Sequence, residues 1–66
     1  MKLTINGNET GYENNLTVSG LLKVLDIEPA RVAVEVNMNI VKKVNYEEHL
    51  LKDGDSIEIV NFVGGG

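Results

Sequence analysis

"DGDSIEIVNFVGGG", residues Asp53–Gly66, carries a turn, a strand and a glycine run in direct succession. Asp53-Gly54-Asp55 is turn chemistry, because Asp and Gly accept backbone conformations that a strand does not. From Ser56 the residues alternate. Ile57 and Ile59 lie on one side, and Glu58, Val60 and Phe62 on the other, which is the period of a strand with one face covered. Val63 then leads without a linker into Gly64, Gly65 and Gly66. Glycine has no Cβ, so such a run can thread a channel too narrow for side chains. Extended chain from Asn61 to Gly66 reaches at most roughly 20 Å. The run is open to two readings: a frayed terminus, or an arm that carries its terminal carboxylate into another protein's active site. Its attachment to a well-patterned apolar strand favours the arm.

Upstream, "RVAVEVN" alternates in the same way, with Val32, Val34 and Val36 on one face and Arg31, Ala33 and Glu35 on the other. "NMN" at Asn37–Asn39 reads as a turn, since Asn tolerates positive φ. "IVKKV" reads as a short strand or edge segment, its lysines discouraging edge pairing. "NYEEHLL" is expected to form a single helical turn. Between Thr17 and Leu25 the period changes. Val18, Leu21, Leu22 and Leu25 recur at helical spacing, with Thr17 as N-cap. Gly20 weakens that helix by about 1 kcal/mol relative to Ala, which suggests close approach to a sheet at that point. Pro29 blocks its continuation. At the start, "MKLTI" alternates, and Asn6-Gly7 is a tight-hairpin signal before a possible return strand in "NETGYE". The order is strand, strand, helix, strand, short strand, strand. This predicts an α+β domain: a small mixed β-sheet with one main helix packed across one face, the other face half exposed.

The 66 residues allow one domain with a thin core. Without Cys, neither a disulfide nor a thiolate metal site can reinforce it. A hydrophobic content of 42% argues against intrinsic disorder. Six Lys plus Arg against ten Asp plus Glu give a net charge of −4, the wrong sign for a nucleic-acid binder or a peripheral membrane domain. The same charge suits either solubility or docking on a basic protein surface. No apolar run approaches the ~20 residues needed to span a bilayer. "MKLTINGNE" does not resemble a signal peptide, so a cytoplasmic location is expected, with no nucleic-acid or membrane partner.

Catalytic groups are scarce. One His and no Cys leave no Ser-His-Asp or Cys-His set to assemble. His49 in "EEHLL" reads as a surface residue beside a turn, and its acidic neighbours would not converge on one ion. Asp53 and Asp55 lack the remaining ligand positions of a calcium loop. The glycine run lacks the Lys and following helix of a phosphate loop. No metal or bound cofactor is expected.

Taken together, the segments resemble the ubiquitin-like β-grasp family, and within it the ThiS-like sulfur carriers of thiamine biosynthesis. The similarity extends over essentially the whole chain. It is most specific in Asp53–Gly66, with "VAVEVNMNIV" at Val32–Val41, Asn6-Gly7 and "TVSGLLKVL" in matching places. Family members often carry Gly where this chain has Met38. The family's terminal diglycine maps to Gly65 and Gly66, with Gly64 as an extra spacer.

The resemblance implies a β-grasp domain over residues 1–63 and a flexible glycine tail over 64–66. The last strand would lie beside and parallel to the first, at the centre of the sheet. The chain would be a protein co-substrate and not an enzyme. A ubiquitin-activating-like adenylyltransferase would spend ATP and Mg to adenylate the Gly66 carboxylate. A persulfide donor of the cysteine desulfurase or rhodanese type would convert it to a thiocarboxylate, and thiazole synthase would take the sulfur. Gly64, Gly65, Val63, Phe62, Val60 and Glu58 would meet these partners. Three alternatives remain at this point: a molybdopterin-synthase small-subunit type of carrier, a ubiquitin-like protein modifier, and a non-covalent binding module.

Overall fold

Strands β1 (Lys2–Ile5) and β5 (Ser56–Asn61) run side by side and parallel, joining the two ends of the sequence at the middle of the sheet. The structure, a computed structural model, describes residues Met1–Phe62. Strand β2 (Asn8–Gly11) returns antiparallel along β1. Strands β3 (Val32–Val36) and β4 (Asn39–Val41) form a second hairpin, with β3 antiparallel to β5. The five-stranded order is β2-β1-β5-β3-β4, so β5 is central and parallel to β1 as the resemblance implied.

Helix α1 (Val18–Val24) supplies the cover for one face. Its Val18, Leu21 and Leu22 join Leu3, Val32, Val34 and Ile57 in one fully buried cluster. Ile5 and Ile59 pack at its margin, half-buried. These are the apolar sides of the alternating strands and of the helical stripe, brought together because neither can leave them in water.

Both ends of α1 are closed by identifiable groups. The Thr17 side chain accepts from Gly20 N–H at 3.0 Å, as expected of an N-cap. The first two helical amides find carbonyls in a later segment: Val18 N–H donates to His49 C=O at 3.0 Å and Ser19 N–H to Tyr46 C=O at 2.8 Å. At the other end Asp26 takes φ 58. Ile27 N–H then reaches Leu22 C=O at 2.8 Å and Asp26 N–H reaches Lys23 C=O at 3.1 Å. That pair of bonds is a Schellman ending, and it stops the helix before Pro29 acts.

Two local expectations are corrected, at Gly20 and at Asn39, and one gains a neighbouring turn. An added Cβ at Gly20 would meet Leu16 Cδ1 at 3.0 Å and Thr17 Oγ1 at 3.4 Å, so the close approach is to the loop entering the helix and not to the sheet. The single helical turn expected in "NYEEHLL" is present at its start, closed by His49 N–H to Asn45 C=O at 2.9 Å, and a 3-10 turn at Lys43–Asn45 precedes it. The chain beyond it runs extended because it is engaged elsewhere: Leu50 bridges Thr17, and Leu51 N–H donates to Leu16 C=O at 2.8 Å. In the β3–β4 turn the left-handed residues are Asn37 (φ 51) and Met38 (φ 71), and Asn39 already belongs to β4.

Candidate partner-docking face and arm root

The strand that feeds the glycine run divides its side chains between two environments. Ile57 is fully buried beneath α1, whereas Glu58, Val60 and Phe62 stand exposed on the opposite side. Val60 is 58% and Phe62 55% exposed. Residues Val63, Gly64, Gly65 and Gly66 lie outside the described residues.

Register shows what surrounds these side chains. Val60 is paired with Ala33 of β3, and Glu58 with Glu35, which is in turn paired with Ile40 of β4. The small Ala33 leaves the open face low beside Val60. Ile40 is 74% exposed at the far side of the same hairpin. Between Ala33, Ile40, Lys42, Lys43 and Phe62 lies a shallow depression of about 360 Å³. The Lys43 ammonium sits 4.9 Å from the centre of the Phe62 ring and donates to Ala30 C=O at 3.2 Å. This cation–π contact at the edge of the depression is worth about 0.5–1 kcal/mol at an exposed site. Phe62 N–H donates to Arg31 C=O at 2.8 Å, so the pairing of β3 and β5 continues to the last described residue.

Beneath the depression, Tyr46 is buried, and its hydroxyl donates to Val32 C=O at 3.2 Å. Burial pushes the phenol above its ordinary pKa of 10.0, partly offset by a backbone hydrogen bond from Val34. Tyr46 therefore serves as a floor for the face, not as a reactive group on it.

The open face combines exposed Val60, Phe62 and Ile40 with two carboxylates set opposite each other across β3 and β5. Like charges in direct register disfavour the sheet. Val60, Phe62 and Ile40 add exposed apolar area to the same face, which makes it a candidate contact surface. Ala33, Glu35, Ile40 and Lys43 were not among the residues singled out from the sequence. For Ala33 and Glu35 the signal was present in the outward phase of "RVAVEV", but only the β3–β5 pairing reveals that this phase is continuous with Glu58 and Val60.

The acids of the 53–55 turn are occupied. Asp53 Oδ1 accepts Lys2 N–H at 2.6 Å, and Asp55 takes Lys52 N–H at 2.8 Å and the Asn37 carboxamide at 2.9 Å. Gly54 supplies the left-handed φ of 89. Among the described residues no group of three or more His, Cys, Asp or Glu side chains is placed to hold a metal ion, and no helix is long and apolar enough to cross a membrane.

Comparison with known proteins now bears on this geometry. The ThiS family profile matches residues 3–66, from the first strand through the last glycine. The chain belongs to the ThiS family. The sulfur carrier protein ThiS of Bacillus subtilis is 42% identical over 65 residues, covering 97% of this chain and 98% of that protein. Thiazole synthase of Paramagnetospirillum magneticum is 47% identical across the full chain, which spans 20% of that protein's length. Thiazole synthase of Magnetococcus marinus matches at 41%, the chain again spanning 20% of its length. The crystal structure of the thiamine biosynthesis protein ThiS from Geobacter metallireducens superposes with a TM-score of 0.87 at 33% identity, with both chains fully covered. The ThiS likeness establishes the five-stranded sheet with one helix as the ubiquitin-like β-grasp fold.

Proposed function

We propose that this ThiS-family chain is a sulfur carrier for thiazole formation in thiamine biosynthesis, and that its reactive group is the Gly66 carboxylate. The observation that carries this reading is the extent of the family match, which runs through the glycines to residue 66. The relative named as a sulfur carrier, matched over 98% of its length, supports the same role. The exposed surface of Glu58, Val60 and Phe62 beside the root of the glycine run provides a place for a partner to grip.

A carboxylate is a poor electrophile, because it is negatively charged and has no good leaving group. In the proposed sequence an adenylyltransferase uses ATP and Mg to join the Gly66 carboxylate to AMP, releasing pyrophosphate. The outer sulfur of a persulfide donor then attacks the acyl carbon and displaces AMP, giving an acyl disulfide. A second thiol of the partner proteins breaks its S–S bond, leaving as a disulfide with the donor sulfur and releasing a thiocarboxylate, ionised at neutral pH and a good nucleophile. Thiazole synthase takes that sulfur, and an oxygen from water or from the sulfur acceptor replaces it to restore the carboxylate. In this scheme the chain contributes a presented terminus and a docking face, while acid–base and metal chemistry belong to the partners. Gly64 and Gly65 give the terminus a cross-section small enough to enter a narrow site. Val63, Phe62, Val60 and Glu58 form the contact behind it.

The thiazole branch is favoured because two proteins named thiazole synthase each contain a stretch like this whole chain. In the same polypeptide, a carrier segment would act on its synthase at high effective concentration. For this chain the partner is proposed to be a thiazole synthase of the same kind.

Incubation with ATP, the adenylating partner and a persulfide source should add the mass difference of sulfur replacing one oxygen, read on the intact protein. Removal of Gly65 and Gly66 together, which leaves no terminal diglycine, should abolish the change. An unchanged mass under conditions that charge the Bacillus subtilis ThiS would refute the proposal.

A further inference from the structure

Strand β5 outruns its parallel neighbour. β1 ends at Ile5, and the main chain turns away at Asn6, φ 48. On the side of β5 facing β1, alternate residues offer their peptide groups. Asp55 C=O accepts Thr4 N–H at 3.0 Å, and Ile57 C=O accepts Asn6 N–H at 2.9 Å. The next rung, at Ile59, has no β1 main chain beside it. The Asn6 side chain takes its place: Oδ1 accepts Ile59 N–H at 2.7 Å, and Nδ2 donates to Ile59 C=O at 3.2 Å. A primary carboxamide presents the same donor and acceptor as a peptide unit. It acts here as one further residue of β1, and among the described residues no rung lies beyond it on that side.

Asn37 is the counterpart at the other end of β5. It also opens a tight turn with positive φ, 51. Its Oδ1 accepts Ser56 N–H at 2.9 Å, and its Nδ2 donates to Asp55 Oδ1 at 2.9 Å. Thus β5 is held at its start by Asn37 from the β3 side and near its end by Asn6 from the β1 side. Of the two grips, that of Asn6 lies nearer the segment that continues to Gly66; there Phe62 N–H to Arg31 C=O at 2.8 Å holds β5 from the β3 side, and Asn6 supplies the hold from the β1 side. Glycine would satisfy the turn at residue 6 without strain, yet would have no carboxamide.

We propose that Asn6 is a positioning residue for the carrier arm: its carboxamide holds β5 at Ile59 and so fixes the strand to which the arm is attached. The kinetic consequence rests on the sulfur-carrier reading, whereas the grip itself does not. A root already held in the sheet has less freedom to lose when a partner takes the arm. Loss of the grip therefore raises KM for the carrier and leaves kcat unchanged, because the bound arm is the same in both cases.

Asn6→Gly removes the carboxamide and keeps the left-handed turn, and Asn37→Gly is the matched control at the far end. Amide hydrogen exchange by NMR on the full chain is expected to quicken about tenfold at Ile59 in N6G, from the loss of its hydrogen bond. The same measurement in N37G quickens at Ser56 and not at Ile59. In adenylation assays with the partner enzyme, N6G raises KM for the carrier about three- to tenfold at unchanged kcat, and N37G changes neither. Asn6→Asp retains an oxygen for Ile59 N–H and recovers part of both effects. Exchange at Ile59 as slow in N6G as in the natural chain overturns the proposal, as does an equal rise in KM for N6G and N37G. If the natural chain is not adenylated at all, the carrier reading fails, and exchange at Ile59 alone upholds or overturns the grip.

Discussion

The two faces of the same five-stranded sheet are built on different terms. Under α1, Leu3, Val32, Val34 and Ile57 meet Val18, Leu21 and Leu22 with no exposure at all. On the reverse, the residues between them in sequence are Ala33, Glu35, Glu58 and Val60, with no second layer among the described residues. β5 supplies both sets, one residue apart. A pleated strand can therefore assign stability to one phase and recognition to the other, and the two are separable by substitution.

The largest test of that separation is Leu22→Ala. It should lower folding stability by about 2–5 kcal/mol in urea denaturation, a large part of what a small domain has. Val60→Ala, on the open face, should cost less than about 1 kcal/mol. Equal losses at the two positions would mean that the faces are not distinct.

Phe62→Ala comes next and should act on recognition. KM for the adenylating partner is expected to rise about tenfold or more, as for a truncated interface anchor. Stability should fall by under about 1 kcal/mol, the scale of the lost Lys43 contact. A Phe62 variant that is unstable yet fully competent would place this ring in the core's economy instead.

Tyr46 tests the layer between the faces. Tyr46→Phe should destabilise by about 1 kcal/mol through the lost bond to Val32 C=O. Its pKa in the folded chain is raised above 10.0. The folded state then holds the proton longer than the unfolded state, so stability is full below pH 10 and declines as pH rises above it. In Tyr46→Phe that part of the alkaline decline should disappear, as followed by denaturation between neutral and strongly alkaline pH.

Met38→Gly should give a smaller effect of the opposite sign. Met38 is 91% exposed, packs little and holds φ 71, so Gly relieves strain at the tip of the hairpin. The expected gain is about 0.5–1 kcal/mol, visible as a higher thermal midpoint with partner KM unchanged. Smallest in magnitude, Glu58→Gln should ease the repulsion with Glu35 by a few tenths of a kcal/mol. It should also slow association with the partner, an effect that shrinks as salt is added. Faster association would reverse the sign assigned to the partner's surface.

Much of this division was legible in the sequence, because a period of two and a helical stripe report directly on which side of an element is covered. Asn6-Gly7 announced its hairpin, and Thr17 its cap. What the segment after Lys43 attaches to was not legible. Its carbonyls at Tyr46 and His49 serve the amides of α1, more than twenty residues earlier, and no local pattern encodes that debt. Asp26 ending the helix was hidden for another reason, since a non-glycine residue at positive φ leaves no compositional mark. The outward residues of β3 were visible as a phase but not as neighbours of Val60, because strand order is a long-range property. The Asn6 carboxamide was masked by its own turn signal, which accounted for the residue before its side chain was considered.

The Glu35–Glu58 pair has a consequence for the protein's behaviour toward its own copies. An exposed face bearing Val60, Phe62 and Ile40 invites self-association. A two-fold, face-to-face pairing centred on this rung would gather four carboxylates between the sheets, with little water to screen them. A cationic partner surface would neutralise the same groups. In the proposed carrier role the acids would act as a password on an otherwise sticky surface, admitting a stranger of opposite charge and turning away a twin.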